Sequence, residues 1–270
     1  MVPPGSPASS SPDSLVLVDR LPSGVAVVTI NRPGSLNSLT RPMMVDLAGI
    51  FKTLDGDPAV GAVVIVGRGR AFCSGVDLTA AAEVFKGEVK DEETNPVIQM
   101  ERCRKPIIGA VAGFAVTAGF EIALACDLIV AGRDAKFIDT HCRFGIFPSW
   151  GLSQKLSRVI GPNRAREVSL ACAPITADMA EKWGLVNHVV DNNDVLKKAI
   201  EVAESILKNN GDMVLKYKSV INDGLKLNLS GALQLEKERA HKHYEAMPEE
   251  QFAQLQKFIS TRSAKPAAKL

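Results

Sequence analysis

Residues 113–127 read GFAVTAGFEIALACD, an apolar stretch holding one internal carboxylate, Glu121. Acidic side chains are almost never fully buried unless paired or functional. An ionised carboxylate buried without partners is strongly disfavoured or neutralised, so Glu121 reads as a poised acid or base. The same stretch decides the architecture. Ile107–Val111 (IIGAV) before it is a run of strand formers, Gly113 turns the chain, and Thr117-Ala118-Gly119 opens a helix predicted to run to Cys126. Leu128–Ala131 (LIVA) then supplies the next strand. Strand, turn, helix and strand in succession imply an α/β protein with a parallel sheet and crossover helices.

Working outward, Val25–Ile30 (VAVVTI) and Ala62–Val66 (AVVIV) read as buried strands bounded by Gly, Asn and Pro. Between them, Met43, Met44, Leu47, Ile50, Phe51 and Leu54 have helical spacing. Thr40 is the expected N-cap of that helix, and Pro42 fits its first turn. From about Trp150 the strand signal nearly disappears. Helical patterns cover Gly151–Ile160, Arg164–Ala171, Ala177–Trp183, Val195–Leu207, Met213–Leu225, Gly231–Tyr244 and Glu249–Thr261. A further helix is expected from Leu78 to Phe85, and the charged residues 86–96 (KGEVKDEETNP) read as a mobile surface loop. Glu236-Lys237-Glu238-Arg239 reads as a solvated helix face; the other reading packs Ala232, Leu235, the Arg239 stem and Tyr244 on a partner subunit.

Composition narrows the function classes. The 270 residues suffice for a sizeable core, and 46% hydrophobic with 23% charged residues is ordinary for a globular chain. A formal net charge of +2 gives no sign of a nucleic-acid or membrane-binding surface. Cys73, Cys103, Cys126, Cys142 and Cys172 are odd in number and scattered, which argues against a disulfide framework or a zinc site and fits a reducing compartment. No apolar run reaches transmembrane length unbroken. Residues 1–14 (MVPPGSPASSSPDS) are rich in Pro and Ser and read as a disordered tail. The terminal Ala268-Lys269-Leu270 is a conservative variant of S-K-L, the peroxisomal address. It is read as that address, against the alternative of a solvated tail that ends this way by chance.

The chemistry starts with Ala71–Leu78 (AFCSGVDL), which follows a strand ending at Gly67. Gly at a strand exit lets the backbone turn tightly and approach a ligand. A helix's first turn has free N–H groups and the positive end of the dipole. The amides of Val76 and Ala118 are therefore expected to aim at one developing oxyanion. Glu121, three positions after Ala118, faces the same side. Such donors beside a carboxylate suit chemistry next to a thioester carbonyl: the amides hold an enolate and Glu121 moves the proton.

AFCSGVDL and GFAVTAGFEIALACDLIVA, with RKPIIGAV just before the second, resemble the crotonase (enoyl-CoA hydratase/isomerase) superfamily. The likeness runs over roughly Leu15 to Ile259, through NRPGSLNSL near the start, GLVNHVV at 184–190 and the C-terminal helices. Within the superfamily the chain resembles the plant peroxisomal enoyl-CoA hydratases. The resemblance implies a repeated ββα spiral core over 15–200 and a helical C-terminal trimerisation region over 201–262, followed by a flexible tail at 263–270. It implies a homotrimer or hexamer and no metal or redox cofactor, coenzyme A entering only as part of an acyl-CoA substrate. It places coenzyme A along Ala71, Ser74, Gly75, Asp77 and Leu78, with Ala118 and Gly119 completing the substrate contacts. Val76 and Ala118 fall on the family's oxyanion amides. An import receptor reading the terminal tripeptide is the expected protein partner.

One departure matters. Hydratases of this family use two glutamates, and the second should fall at 141 in FIDTHCRFGIFPSWG, where this chain has His141. On an extended segment Asp139 would share a face with His141 only if no bulge intervenes. An imidazole orients water and exchanges protons near neutral pH, so His141 is read either as a catalytic helper or as a hydrogen-bonded pocket histidine beside Glu121. Ser149 and Trp150 are expected to line the acyl pocket. Three functions are consistent with these residues. The first is hydration of trans-2-enoyl-CoA to 3-hydroxyacyl-CoA in fatty-acid β-oxidation, and the second a single-glutamate reaction, double-bond isomerisation or thioester hydrolysis. The third is coenzyme A binding without catalysis.

Overall fold

Strands that are apolar at every position need cover on both faces, and the computed structural model, which describes residues 14–80, 91–250 and 252, supplies it. The main sheet has six strands: β1 (Val16–Arg20), β2 (Val25–Ile30), β3 (Ala62–Gly67), β5 (Ile107–Val111), β7 (Leu128–Gly132) and β10 (His188–Val190), in that order. Only β1 runs antiparallel to its neighbour. A second sheet orders β4 (Ala71–Cys73), β6 (Phe114–Val116), β8 (Lys136–Ile138) and β9 (Ile175–Thr176), parallel except for β9.

The chain therefore repeats one unit. A long strand enters the main sheet, a short one enters the second, and a helix returns the chain for the next turn. β5, β6 and α3 (Ala118–Leu124) make one such turn; β7, β8 and α4 (His141–Phe144) make the next. The four long strands and the helix α1 (Arg41–Gly56) form where sequence periodicity expects them. Thr40 occupies the N-cap with extended dihedrals, but its hydroxyl makes no capping bond and only its carbonyl accepts, from Met44 N–H at 3.1 Å. α3 ends at Leu124, two residues short of the expected Cys126. The charged stretch before Pro96 gives way to a helix, α2 (Pro96–Arg102), capped by the Asn95 side chain on the amides of Val97 and Ile98.

Alternate residues of the main sheet face two cores. Val28, Ile30, Val63, Ile65, Ile107 and Val111 meet the inner core with α1 and α3. Val27, Val64, Ile108 and Val130 face the other way, where Val195, Ala199 and Ala203 of α8 (Val195–Leu207) cover them. Small residues on α8 let the helix lie close, which is why these strands show no polar alternation. Phe120 of α3 and Phe137 of β8 are fully buried with ring centroids 5.3 Å apart, tying the site helix to the second sheet.

Two compact units divide after Leu215, so the boundary expected at 200 falls inside α8. The first unit also contains α5 (Leu152–Ile160), α6 (Pro162–Ala171) and α7 (Ala177–Lys182). A further helix, α9 (Gly211–Gly224), carries the chain across the division. In the second unit, Arg239 of α10 (Leu229–Glu245) donates to Asp223 at 2.6 Å and to the Ser219 hydroxyl at 2.9 Å, so this arginine braces its own unit. Residues 1–13 of the expected tail, 81–85 of the expected helix from Leu78, 86–90 of the expected loop, residue 251 and 253–261 of the last expected helix, and the terminal address lie outside the described residues. Among the described residues no helix is long and apolar enough to cross a membrane.

Truncating a fully buried Phe typically costs about 3–5 kcal/mol. Phe137→Ala should therefore lower the unfolding free energy by roughly that amount, read from the denaturation midpoint in urea; a loss below about 1 kcal/mol would show that the inter-sheet layer is loosely packed.

Candidate active site

The loop at residues 31–39 builds one side of the site. Asn37, fully buried at φ 58°, donates through Nδ2 to the carbonyls of Arg68 (2.9 Å) and Ala71 (2.7 Å) and accepts from Arg32 N–H at 2.9 Å. A short parallel bridge then pins the next segment: Leu39 N–H donates to Gly75 C=O and Asp77 N–H to Leu39 C=O, each at 2.8 Å. Because Gly75 C=O is turned to Leu39, the Val76 N–H of the same trans peptide points the other way, and it donates to no acceptor among the described residues. Gly75 sits at φ +99°, where a Cβ would meet Val116 C=O at 3.1 Å and stand 3.8 Å from the Ala118 nitrogen. Asp77 is tied to Arg32 at 2.6 Å, and the Thr79 hydroxyl, then Arg32, hold its carboxyl down to about 2.

The other side is the start of α3. A Cβ on Gly119 would lie 2.2 Å from the Cys73 carbonyl oxygen, so only glycine lets the helix approach β4 this closely. Ala118 N–H, first in the helix, likewise has no acceptor among the described residues. One turn on, Glu121 is 2% exposed. Its Oε1 accepts from Trp150 N–H at 3.0 Å and Leu152 N–H at 3.3 Å, while no described residue bonds Oε2. Burial raises its pKa above the usual carboxylate range, against the lowering pull of His141 and the two amides.

His141 does not lie on an extended segment; it opens α4, and an Asx-type turn brings Asp139 to it. Asp139 Oδ1 accepts from His141 N–H at 3.0 Å and lies 2.7 Å from Nδ1. Burial pushes Asp139 upward, but bonds from the His141 ring and amide and from Ser169 outweigh it and leave the carboxyl below its ordinary value. An ionised carboxylate only accepts, so Nδ1 donates to Asp139, and Nε2 is left as the ring nitrogen that no described residue engages.

Glu121, His141, Val76 and Ala118 line one cavity of about 230 Å³. Ser74, Gly75 and Leu78 line it from the first loop, and Ser149 and Trp150 from the segment before α5. Ala71, Asp77 and Gly119 do not: Ala71 is buried in β4, Asp77 braces the loop through Arg32, and Gly119 packs on β4. The walls also include Phe144, Ile146 and Phe147, which sequence patterns left unmarked because Phe144 ends a one-turn helix and the other two stand on the irregular stretch after it. Among the described residues no group of three or more His, Cys, Asp or Glu is placed to hold a metal ion. The arrangement sets a buried carboxyl and a buried imidazole beside two backbone N–H groups that have no acceptor among the described residues.

Comparison with known proteins agrees with this geometry. Residues 20–265 match the enoyl-CoA hydratase/isomerase family, and the chain belongs to it. It is 66% identical over 259 residues to a probable peroxisomal enoyl-CoA hydratase 1 of Arabidopsis thaliana, covering 96% of this chain and 98% of that one. A probable mitochondrial enoyl-CoA hydratase of Dictyostelium discoideum is 34% identical over 80% of this chain and 79% of its own. Among solved structures, an enoyl-CoA hydratase subunit from Geobacillus kaustophilus superposes with a TM-score of 0.84 at 27% identity, covering 96% of this chain and 99% of that chain. The ββα spiral that the resemblance implied is thus the fold of the chain.

Raising a carboxyl pKa on folding opposes folding from the unfolded value near 4.5 upward and in full above the raised value; below 4.5 both states are protonated and the opposition vanishes. Glu121→Gln keeps an oxygen for the two amides and removes the charge. Its melting temperature should exceed that of the parent at pH 8, with the gain shrinking as pH falls toward 4.5; a gain independent of pH would contradict the burial argument.

Proposed function

We propose that the protein is an enoyl-CoA hydratase, adding water across C2–C3 of a trans-2-enoyl-CoA to give the 3-hydroxyacyl-CoA. The single observation that carries this reading is the shared cavity. A buried Glu121 held through one oxygen faces the same space as an Asp139-backed His141 and the free amides of Val76 and Ala118. Family membership and the names of the relatives support it.

In the proposed reaction the thioester oxygen binds both amides. Water held between Glu121 and His141 gives a proton to His141 Nε2 as its oxygen attacks C3. The imidazolium so formed is balanced by Asp139, as in other carboxylate-oriented histidines. Electron density moves onto the thioester oxygen, where each backbone donor contributes roughly 2.7–4 kcal/mol to the transition state. Glu121, whose carboxyl burial makes less ready to ionise, then delivers a proton to C2. Proton return from His141 to Glu121 closes the cycle without net change in either group.

The apolar walls given by Leu78, Phe144, Phe147 and Trp150 support an acyl substituent rather than a polar one. The peroxisomal label of the Arabidopsis relative, together with the terminal Ala-Lys-Leu, supports a place in peroxisomal fatty-acid β-oxidation, with an import receptor reading the tripeptide. Exposed Leu225, Leu229 and Leu233 in the second unit support assembly into a homotrimer or hexamer.

Incubation with crotonyl-CoA should discharge the enoyl absorbance. Conversion of a 3-enoyl-CoA with crotonyl-CoA left untouched would replace hydration by isomerisation. Glu121→Gln should lower kcat by roughly 10²–10⁴-fold, the usual contribution of a positioned acid or base; an unchanged rate would remove Glu121 from the chemistry. His141→Ala should lower kcat by more than about threefold, since even a modest general base contributes above that level. A smaller fall would make His141 a bystander of the pocket.

A further inference from the structure

Thr117 stands at φ 49°, ψ −106°, a region that glycine enters freely and a β-branched residue essentially never does. Such a conformation persists only where the surroundings over-determine it. Thr117 is the N-cap residue of α3, yet its side chain makes no capping bond to its own helix. It turns instead to β8's exit: its Oγ1 lies 2.5 Å from Thr140 Oγ1 and accepts Thr140 N–H at 3.2 Å. Thr140 in turn leaves α4 uncapped by its side chain. Each threonine immediately precedes a residue of the site, Ala118 in one case and His141 in the other.

The backbone shows what the strain achieves. Thr117 N–H donates to Ile138 C=O at 2.8 Å, and Thr117 C=O accepts from Glu121 N–H at 2.9 Å. In a trans peptide the C=O and the following N–H point in opposite directions. With Thr117 C=O directed along α3, Ala118 N–H must face back out of the helix toward the cavity. Relaxing Thr117 to an ordinary φ rotates this peptide and takes the N–H off its line.

We propose that the Thr117–Thr140 hydroxyl pair is a clasp that fixes the direction of the Ala118 amide and its registration with His141, making both threonines positioning residues. The proposal rests on the hydratase reading for its first readout, while a second readout is independent of hydration. Both residues line the cavity wall, so the pair stands beside the reacting groups without having to touch them.

The test uses the full chain with crotonyl-CoA, and separately with acetoacetyl-CoA, a 3-oxoacyl thioester whose enolate has its own near-ultraviolet absorbance. Thr117→Val keeps the shape and removes the hydroxyl. It should lower kcat roughly tenfold or more, a misdirected oxyanion donor being worth part of a full deletion, with KM and melting temperature little changed. Thr117→Ser should recover most of the rate. Thr140→Val should match the Thr117→Val loss, and the double variant should be no worse than the poorer single one, as expected of one shared interaction. The enolate fraction of bound acetoacetyl-CoA should fall in step. If Thr117→Val does not fold, Thr140→Val carries both readouts alone. Unchanged kcat and enolate signal in the valine variants, a serine variant as impaired as the valine one, or additive losses would overturn the clasp. A parent that leaves crotonyl-CoA untouched yet binds acetoacetyl-CoA as an enolate, with the signal lost in Thr117→Val, would keep the clasp and overturn the hydratase reading.

Discussion

The Glu121 carboxylate is 2% exposed on an apolar helix, and the loss of its hydration has to be offset by groups fixed in place beforehand. Two backbone amides, from Trp150 and Leu152, supply that offset on one oxygen only. A fully satisfied carboxylate would be stable and inert, with its pKa driven down by the donors. A wholly unsatisfied one would be neutral at all useful pH values. The half-satisfied state lies between, with burial winning over the amides and leaving the group above its ordinary range. Nearly everything else about the site follows from keeping that balance: a dry wall, a helix start pressed against β4, and a segment before α5 that turns its amides inward.

The scaffold meets this demand with backbone rather than side chains. Because β4, β6 and β8 run parallel, the segments that leave them lie at one end of the second sheet, and each contributes one element to the cavity. The parallel bridge between Leu39 and Val76 orients one amide by occupying its neighbours. The absent side chain at Gly119 brings the other within reach of the same space. Donors held this way need no reorganisation when charge develops, which is the condition under which an oxyanion donor is most effective.

What the amino-acid sequence discloses follows from how each feature is encoded. β2, β3, β5 and β7 were legible because both faces are covered and every residue but Thr29 is apolar. β4, β6 and β8 have three residues each, too few for a period, and they form strands because their neighbours pair with them. Glu121 was legible because a charge inside an apolar run is conspicuous. Its partners were not, since the amides of Trp150 and Leu152 belong to the backbone and every residue has one. Asp139 falls between these cases. An Asp two residues ahead of a helix start is a readable Asx-turn signal, but an extended reading of 137–141 hid the turn that brings its carboxylate onto His141.

His141 in the place of a second glutamate changes the electrostatics more than the geometry. Two carboxylates sharing one small cavity would oppose each other's ionisation, splitting their titrations through direct repulsion. Here the second negative charge stands one group further out, on Asp139, with the imidazole interposed. Burial is accordingly the main influence that raises Glu121, Asp139 adds to it in a lesser degree, and His141 acts in the opposite sense. In the proposed reaction the two protonation jobs of a hydration are divided between unlike groups. There a carboxyl made reluctant to ionise by its dry surroundings would serve as the acid, and an imidazole oriented by an ionised aspartate as the base. Burial raises Glu121 while the bonds from His141 and Ser169 hold Asp139 down, so the two carboxyls of the site are pushed apart, the general sign of divided roles, and in the proposed reaction this needs one glutamate rather than two.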